Sequence, residues 1–206
     1  MRLQSKILAV LTLAFSPTRF FVEQFKYRVD EKDRAIDIWN TVFRVIMLLN
    51  VLGLYLVGTS AATRRAPPYL GFFGLWLFPF SRVTELLLAF YKDAFQRFKY
   101  PGSENKERRL KLLVFSYLEV AVQFGILYFC FPAGFFKPDF GSIFDAIYFS
   151  VATITTVGYG DFAPTQLLSR LACVYELAVG FVLIIFALGS YLAMSNSNVP
   201  PHPPVE

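Results

Sequence analysis

Residues 153–161 read Thr-Ile-Thr-Thr-Val-Gly-Tyr-Gly-Asp, and the chemistry they offer belongs to the backbone rather than to a side-chain nucleophile or base. Gly158 and Gly160 stand at alternate positions. Glycine enters left-handed backbone angles without the steric cost other residues meet. Such angles at alternate residues let consecutive carbonyls point toward one axis. A row of carbonyl oxygens of this kind replaces the water that a cation sheds on entering a narrow passage. Gly-x-Gly also marks ordinary tight turns, so the string takes its meaning from the elements that hold it.

Those elements are membrane elements. The chain has 206 residues, of which 55% are hydrophobic and only 17% charged, with mean hydropathy +0.48. A soluble domain carries about 25% charged residues, so this composition points to a lipid environment. Spanning the hydrocarbon takes about 20 mostly apolar residues, and four segments meet that length: 36–57, 69–90, 111–131 and 167–194. A fifth apolar run, 141–155, is too short to cross. It suits a re-entrant helix, which is tolerated at membrane depth only where protein or water surrounds the loop that follows it. The expected fold class is therefore an all-α integral membrane protein with four transmembrane helices and a re-entrant pore helix and loop between the last two.

The net charge of +5 does not require a nucleic-acid partner, because the basic residues flank the spans. Lys and Arg crowd the segment before the first span, from Arg2 to Arg34, and the second connection, from Lys92 to Lys111. The first connection offers only Arg64 and Arg65, and the stretch between Pro132 and the glycine string only Lys137. The positive-inside rule then places both termini in the cytoplasm and the glycine string toward the outside. The expected organisation is an N-terminal interfacial helix over 1–35, two accessory spans over 36–91, a basic cytoplasmic loop over 92–110, a pore-forming unit over 111–194 and a short tail over 195–206. Met1–Phe15 has the look of a signal peptide, but Pro17 directly after the small-residue site Ala14-Phe15-Ser16 argues for retention. Ser16 as cap, Pro17 at the first position and Phe21, Phe25 and Val29 one turn apart predict a helix along the inner membrane surface. No cytoplasmic ligand-binding domain is expected in the proline-bearing tail, residues 195–206. Cys130 and Cys173 lie in apolar runs without metal-ligand spacing, and His202 is the single histidine, so enzyme chemistry has no constellation to use.

The last two spans, the 141–155 run and the string Thr156-Val157-Gly158-Tyr159-Gly160-Asp161 together resemble the pore module of the potassium channel family. The resemblance implies that the carbonyls of Thr156, Val157, Gly158 and Tyr159, with the Thr156 hydroxyl at the inner end, hold potassium ions, the only cofactor-like species expected. It implies that Gly160 completes the filter and that Tyr159 points away to brace it. Asp161 would tether the outer mouth through an aromatic of the pore helix; Tyr148 can supply a hydroxyl there, whereas Phe149 cannot. Thr155 stands with these as filter support. Ala152 occupies the place where some bacterial relatives carry a glutamate that pairs with the aspartate. One filter per chain implies a homotetramer surrounded by lipid, in a plasma or bacterial inner membrane. Gly180 falls where the family's inner helix bends, although a small residue for close packing serves equally; Gly189 is a second candidate. The alternatives are a non-conducting regulatory subunit or a related potassium-transport subunit. Steep voltage sensing is not expected, since the second span carries Arg82 alone.

Ionisable groups within spans are costly and usually paired. Arg44, Arg82, Glu85 and Glu119 lie at comparable depth, and we expect them to form an intramembrane cluster joining the first two spans to the pore module, with snorkelling to the headgroups as the competing arrangement. On this reading, neutralising Arg82 alone harms assembly more than neutralising Arg82 together with Glu85. Glu176 is deeper, and its partner is not readable from sequence.

Overall fold

The computed structural model describes residues 32–58, 78–91 and 106–196. The interfacial helix expected before residue 32, the first connection, most of the basic loop and the tail beyond 196 lie outside the described residues. Five helices and one small sheet are described: α1 (Lys32–Gly58), α2 (78–91), α3 (Lys106–Phe129), β1 (Phe136–Lys137), α4 (Ile143–Ile154), β2 (Ala163–Pro164) and α5 (Leu167–Asn196). Within α1, α3 and α5, the stretches Asp37–Leu56, Leu110–Phe129 and Leu167–Ile185 are long and apolar enough to cross a membrane. Of the expected span 69–90 only the part from residue 78 is described, and it is helical. The 12 residues of α4 are too few to cross, because about 1.5 Å per residue falls well short of a hydrocarbon core of about 30 Å.

One expected boundary shifts, and a short sheet joins the helices. The loop expected over 92–110 gives way to helix at Lys106, since Lys106, Glu107, Arg108 and Arg109 are good helix formers and extend α3 past its apolar part. The all-helical expectation is amended by the antiparallel pairing of β1 with β2, Phe136 opposite Pro164 and Lys137 opposite Ala163. This pairing joins the segment before α4 to the segment after the glycine string. Around it, the Thr165 amide and the Ser169 hydroxyl both donate to the Phe135 carbonyl, at 3.0 and 2.9 Å.

α4 begins with a complete capping box. The Asp145 amide donates to the Ser142 hydroxyl at 3.3 Å, and the Ser142 amide donates to the Asp145 carboxylate at 2.8 Å. Behind the helix lies an aromatic layer in which Phe149 meets Tyr128, Phe136 and Phe140 with ring centroids 5.3, 5.3 and 5.8 Å apart. Phe136 and Phe149 are buried, so the large aromatic areas that drive burial hold α3, α4 and the β1 segment together. α1 adds a second cluster, Met47 with Ile126 and Ile143, and α2 places Val83 and Leu86 in the main core.

The accessory helices are also tied to α3 by charge. Arg82, buried at 2% exposure, donates from Nε to Glu119 at 2.7 Å, lies 3.2 Å from Glu85 and donates to the Asn40 side chain at 2.9 Å. Arg44 approaches Glu119 at 3.5 Å, and its guanidinium lies over the Phe115 ring; that of Arg82 lies over Phe43, 4.5 Å from the centroid. Ser116 and Gln123, both buried, share the α3 face of Glu119 at helical spacing. Glu119 is nearer to Arg82 than is Glu85, so it is the carboxylate most exposed by loss of the cation. Removing one member of a buried ion pair typically costs about 3–5 kcal/mol, whereas removing both is often near neutral. We therefore expect Arg82→Gln to lower the thermal denaturation temperature in detergent more than the double replacement Arg82→Gln with Glu119→Gln; equal losses would show that Glu119 does not depend on Arg82.

Candidate ion-conduction site

A helix end leaves its last carbonyls without helical partners, and α4 meets this need almost entirely through the residues that follow it. The Thr155 amide donates to the Val151 carbonyl at 3.1 Å, and the Thr156 amide to Thr153 at 2.9 Å. The Val157 and Gly158 amides both donate to the Ala152 carbonyl, at 3.0 and 3.1 Å. The last carbonyl, that of Ile154, accepts from the Tyr117 hydroxyl of α3 at 2.9 Å. Thr155 closes the helix as its C-cap, its hydroxyl donating to Val151 at 2.6 Å. The polypeptide after α4 is thereby drawn back onto the helix end and anchored to α3.

From there the backbone alternates. Thr156, Gly158 and Gly160 have φ of 60°, 58° and 79°, while Val157 and Tyr159 between them do not enter positive φ. At Gly158 and Gly160 an added Cβ meets nothing within 4 Å, so glycine is there for its backbone angles and not for space. The glycines make this alternation legible at 158 and 160. At Thr156 it is not legible, since a β-branched residue with positive φ is a genuine outlier, a conformation that costs about 1–3 kcal/mol and persists only where the surroundings enforce it. The amide bonds of Thr156, Val157 and Gly158 to the α4 carbonyls supply that enforcement.

The expected supporting residues divide. Tyr148 stacks on Tyr159, centroids 6.0 Å apart and planes within 8°, meets Phe162 edge-on at 6.4 Å, and neighbours Asp161. The Asp161 carboxylate itself accepts from the Phe162 amide at 3.1 Å. Phe149 lies elsewhere: it faces the aromatic layer behind α4, and so supports the helix and not the glycine string, because adjacent positions on a helix point about 100° apart. Thr155 to Asp161 are all exposed in the single chain.

Three groups that hold this site have partners that the sequence does not name. Gly125 of α3 lies against α4 so closely that a Cβ there would meet the Ile147 Cα at 2.7 Å. Glu176 of α5, fully buried, is linked to α3 and α4: it accepts from the Tyr128 hydroxyl at 2.6 Å and makes a short contact with the Ser150 hydroxyl, which lies 2.7 Å from the Ala121 carbonyl. Tyr117 is the third. Gly125 and Tyr117 look like routine span composition until the neighbour on another helix is known, whereas Glu176 stands out in the sequence as a charge deep in a span although its partner does not.

Gly180 also resolves into contact. A Cβ there would meet Ile154 Cγ1 at 2.7 Å, so α5 passes close to the residue that ends α4. Gly189 has nothing within 4 Å, and α5 is helical through both positions.

Residues 116–195 match a family model described as "Ion channel". A curated relative, "Probable potassium channel protein 2" of Methanocaldococcus jannaschii, is 51% identical over 43 residues, which is 21% of this chain and 12% of that protein. The match thus spans about one eighth of the relative's length. No solved structure matches.

Packing and hinge roles for Gly180 separate in a double-mutant test. Overpacking costs about 1–3 kcal/mol, so Gly180→Ala is expected to lower thermal stability by that amount and Ile154→Ala in the same chain to recover part of it; no recovery would assign the glycine to backbone flexibility. Gly125→Ala meets main chain, which cannot step aside, and is expected to cost more than Gly180→Ala in the same assay.

The helix-end bonds, the alternating backbone and the match to the ion channel family model all fall on one stretch, within residues 116–195.

Proposed function

We propose that the protein is a potassium-selective channel subunit that conducts K+ passively across a membrane as a homotetramer. The observation that carries this reading is the left-handed backbone at Thr156, Gly158 and Gly160 in a string pinned by its amides to the end of a non-spanning helix. Backbone alternating in this way can present successive carbonyls to one axis, and four copies around that axis would replace the hydration shell of a dehydrated cation. A single chain contributes one such string, so closure of the ring takes four chains related by symmetry. The name of the archaeal relative supports potassium as the ion.

The proposed topology has four spans, α1, a second span ending with α2, α3 and α5, with α4 re-entrant. The basic stretch from Lys92 to Lys111 lies on the cytoplasmic side, and the sparse basic content near Lys137 puts the mouth of the filter outside. The first two spans serve as a collar, fastened to α3 by Arg82, Glu85 and Glu119. With Arg82 and Arg44 held by carboxylates and rings, neither is free to carry gating charge across the field.

Purified protein in liposomes provides the test. A potassium gradient is expected to drive flux that a sodium gradient does not, and Gly158→Ala is expected to abolish it, since alanine resists the left-handed angle. Equal sodium and potassium flux in the wild type would end the reading.

A further inference from the structure

Glu176 is buried at the junction of α3, α4 and α5, where no cation reaches it: the ion pairs among the described residues gather on Arg44 and Arg82. Its carboxyl group takes part in a run of oxygen–oxygen contacts whose hydrogens can be counted. Tyr128 Oη lies 2.6 Å from Oε2, Ser150 Oγ lies against Oε1, and the same Ser150 Oγ lies 2.7 Å from the Ala121 carbonyl oxygen. Each contact needs one hydrogen between its oxygens, because two oxygens at hydrogen-bond distance with none between them repel.

A tyrosine hydroxyl and a serine hydroxyl bring one hydrogen each, and a carbonyl brings none. With Glu176 ionised, the Tyr128 hydrogen satisfies Oε2 and the Ser150 hydrogen satisfies either Oε1 or the Ala121 carbonyl, so one contact is left bare. With Glu176 protonated on Oε1, the acid donates to Ser150, Ser150 donates to Ala121 and Tyr128 donates to Oε2. Each of these three contacts then holds a hydrogen, and the Cys173 thiol, which also bonds the Tyr128 hydroxyl, leaves the count unchanged because it brings a hydrogen of its own. Burial acts in the same direction, since an ionised carboxylate away from water and without a cation is costly.

We infer that Glu176 is held as a neutral carboxylic acid and acts as a positioning residue for the filter, passing a hydrogen-bond chain from the inner helix through Ser150 of the pore helix to the backbone of the outer helix. The inference rests on the channel reading for its functional consequence, but the protonation state can be measured without conduction. The titratable neighbours on the packed elements are Tyr117 and Tyr128 of α3 and Cys173 of α5 itself. None carries positive charge, so none provides a counter-ion for an ionised Glu176. Ser150 is the contact from α4. The consequence is local to the site: Ser150 stands one helical turn before Ile154, the residue that Tyr117 and Gly180 hold in place, so a loosened Ser150 releases the end of the helix from which the filter starts.

The experiment compares wild type, Glu176→Gln and Glu176→Ala in lipid at neutral pH. Infrared difference spectra between wild type and Glu176→Gln are expected to show the carbonyl stretch of a buried protonated carboxylic acid, present in the wild type and missing from the variant. Glutamine keeps one N–H donor for Ser150 and one oxygen for Tyr128, so its potassium flux is expected within about twofold of wild type, whereas alanine, which breaks the chain at both ends, is expected to lose roughly tenfold or more, the effect of about 1.4 kcal/mol or greater. A carboxylate band in place of the acid band overturns the inference, as does a Glu176→Gln protein as impaired as Glu176→Ala. Absence of flux in the wild type with the acid band present would instead strike the channel reading and leave the protonation state standing.

Discussion

A helix that ends against its neighbours must find partners for its terminal carbonyls, and the arrangement around α4 follows from that requirement. A polar group left buried and unsatisfied costs about 1–3 kcal/mol. The carbonyls of residues 151 to 153 take amides from the chain that follows, which forces that chain to double back, and the carbonyl of Ile154 takes a hydroxyl from α3. The unusual angle of Thr156 is a product of this closure. The alternating backbone is thus not a property of the glycine string alone; the helix end imposes it on residues able to accept it.

Once α4 is committed to this position, its neighbours have little freedom. Gly125 lets α3 approach the backbone of Ile147, Gly180 lets α5 approach Ile154, and the aromatic layer from Tyr128 to Phe149 fills the space behind. Polar links lie within this packing, from Glu176 to Ser150 and Tyr128. Hydrogen bonds in so dry a setting are strong when complete and expensive when broken, so they select one arrangement of the three helices. Outside these three helices, the Arg82 cluster does the same for α1 and α2, with the difference that its members are formally charged and depend on one another for neutrality.

Much of this was open to reading from the chain. Hydrophobic run lengths marked the three described helices that are long and apolar enough to cross a membrane, and residues 141–155 were recognisably too short. Gly158 and Gly160 announced the left-handed angles because only glycine takes them freely. The depth of Arg44, Arg82, Glu85 and Glu119 along their spans anticipated a meeting that the structure displays, down to an interatomic distance of 2.7 Å. Other features were unreadable for identifiable reasons. Phe149, lacking a hydroxyl, was still placed with Tyr148 among the supporting aromatics, but adjacent helix positions face different neighbours, and it joined the layer behind. The strands β1 and β2 are two residues long, too short to produce any periodicity.

The boundary between the two kinds of knowledge follows the range of the interaction. Local chemistry, comprising apolar run length, glycine at alternate positions and basic residues beside spans, determined the sequence reading of a membrane protein with a cation-lining loop, since each of these acts within a few residues. Partnership across helices was decided only by the tertiary structure. Tyr117 finding Ile154, Gly125 admitting Ile147 and Glu176 reaching Ser150 join residues 37, 22 and 26 positions apart, and nothing in either partner's neighbourhood names the other. Burial supplies the physical reason: in a dry interior a polar atom must be paired, but which atom pairs it depends on where every other helix has been packed.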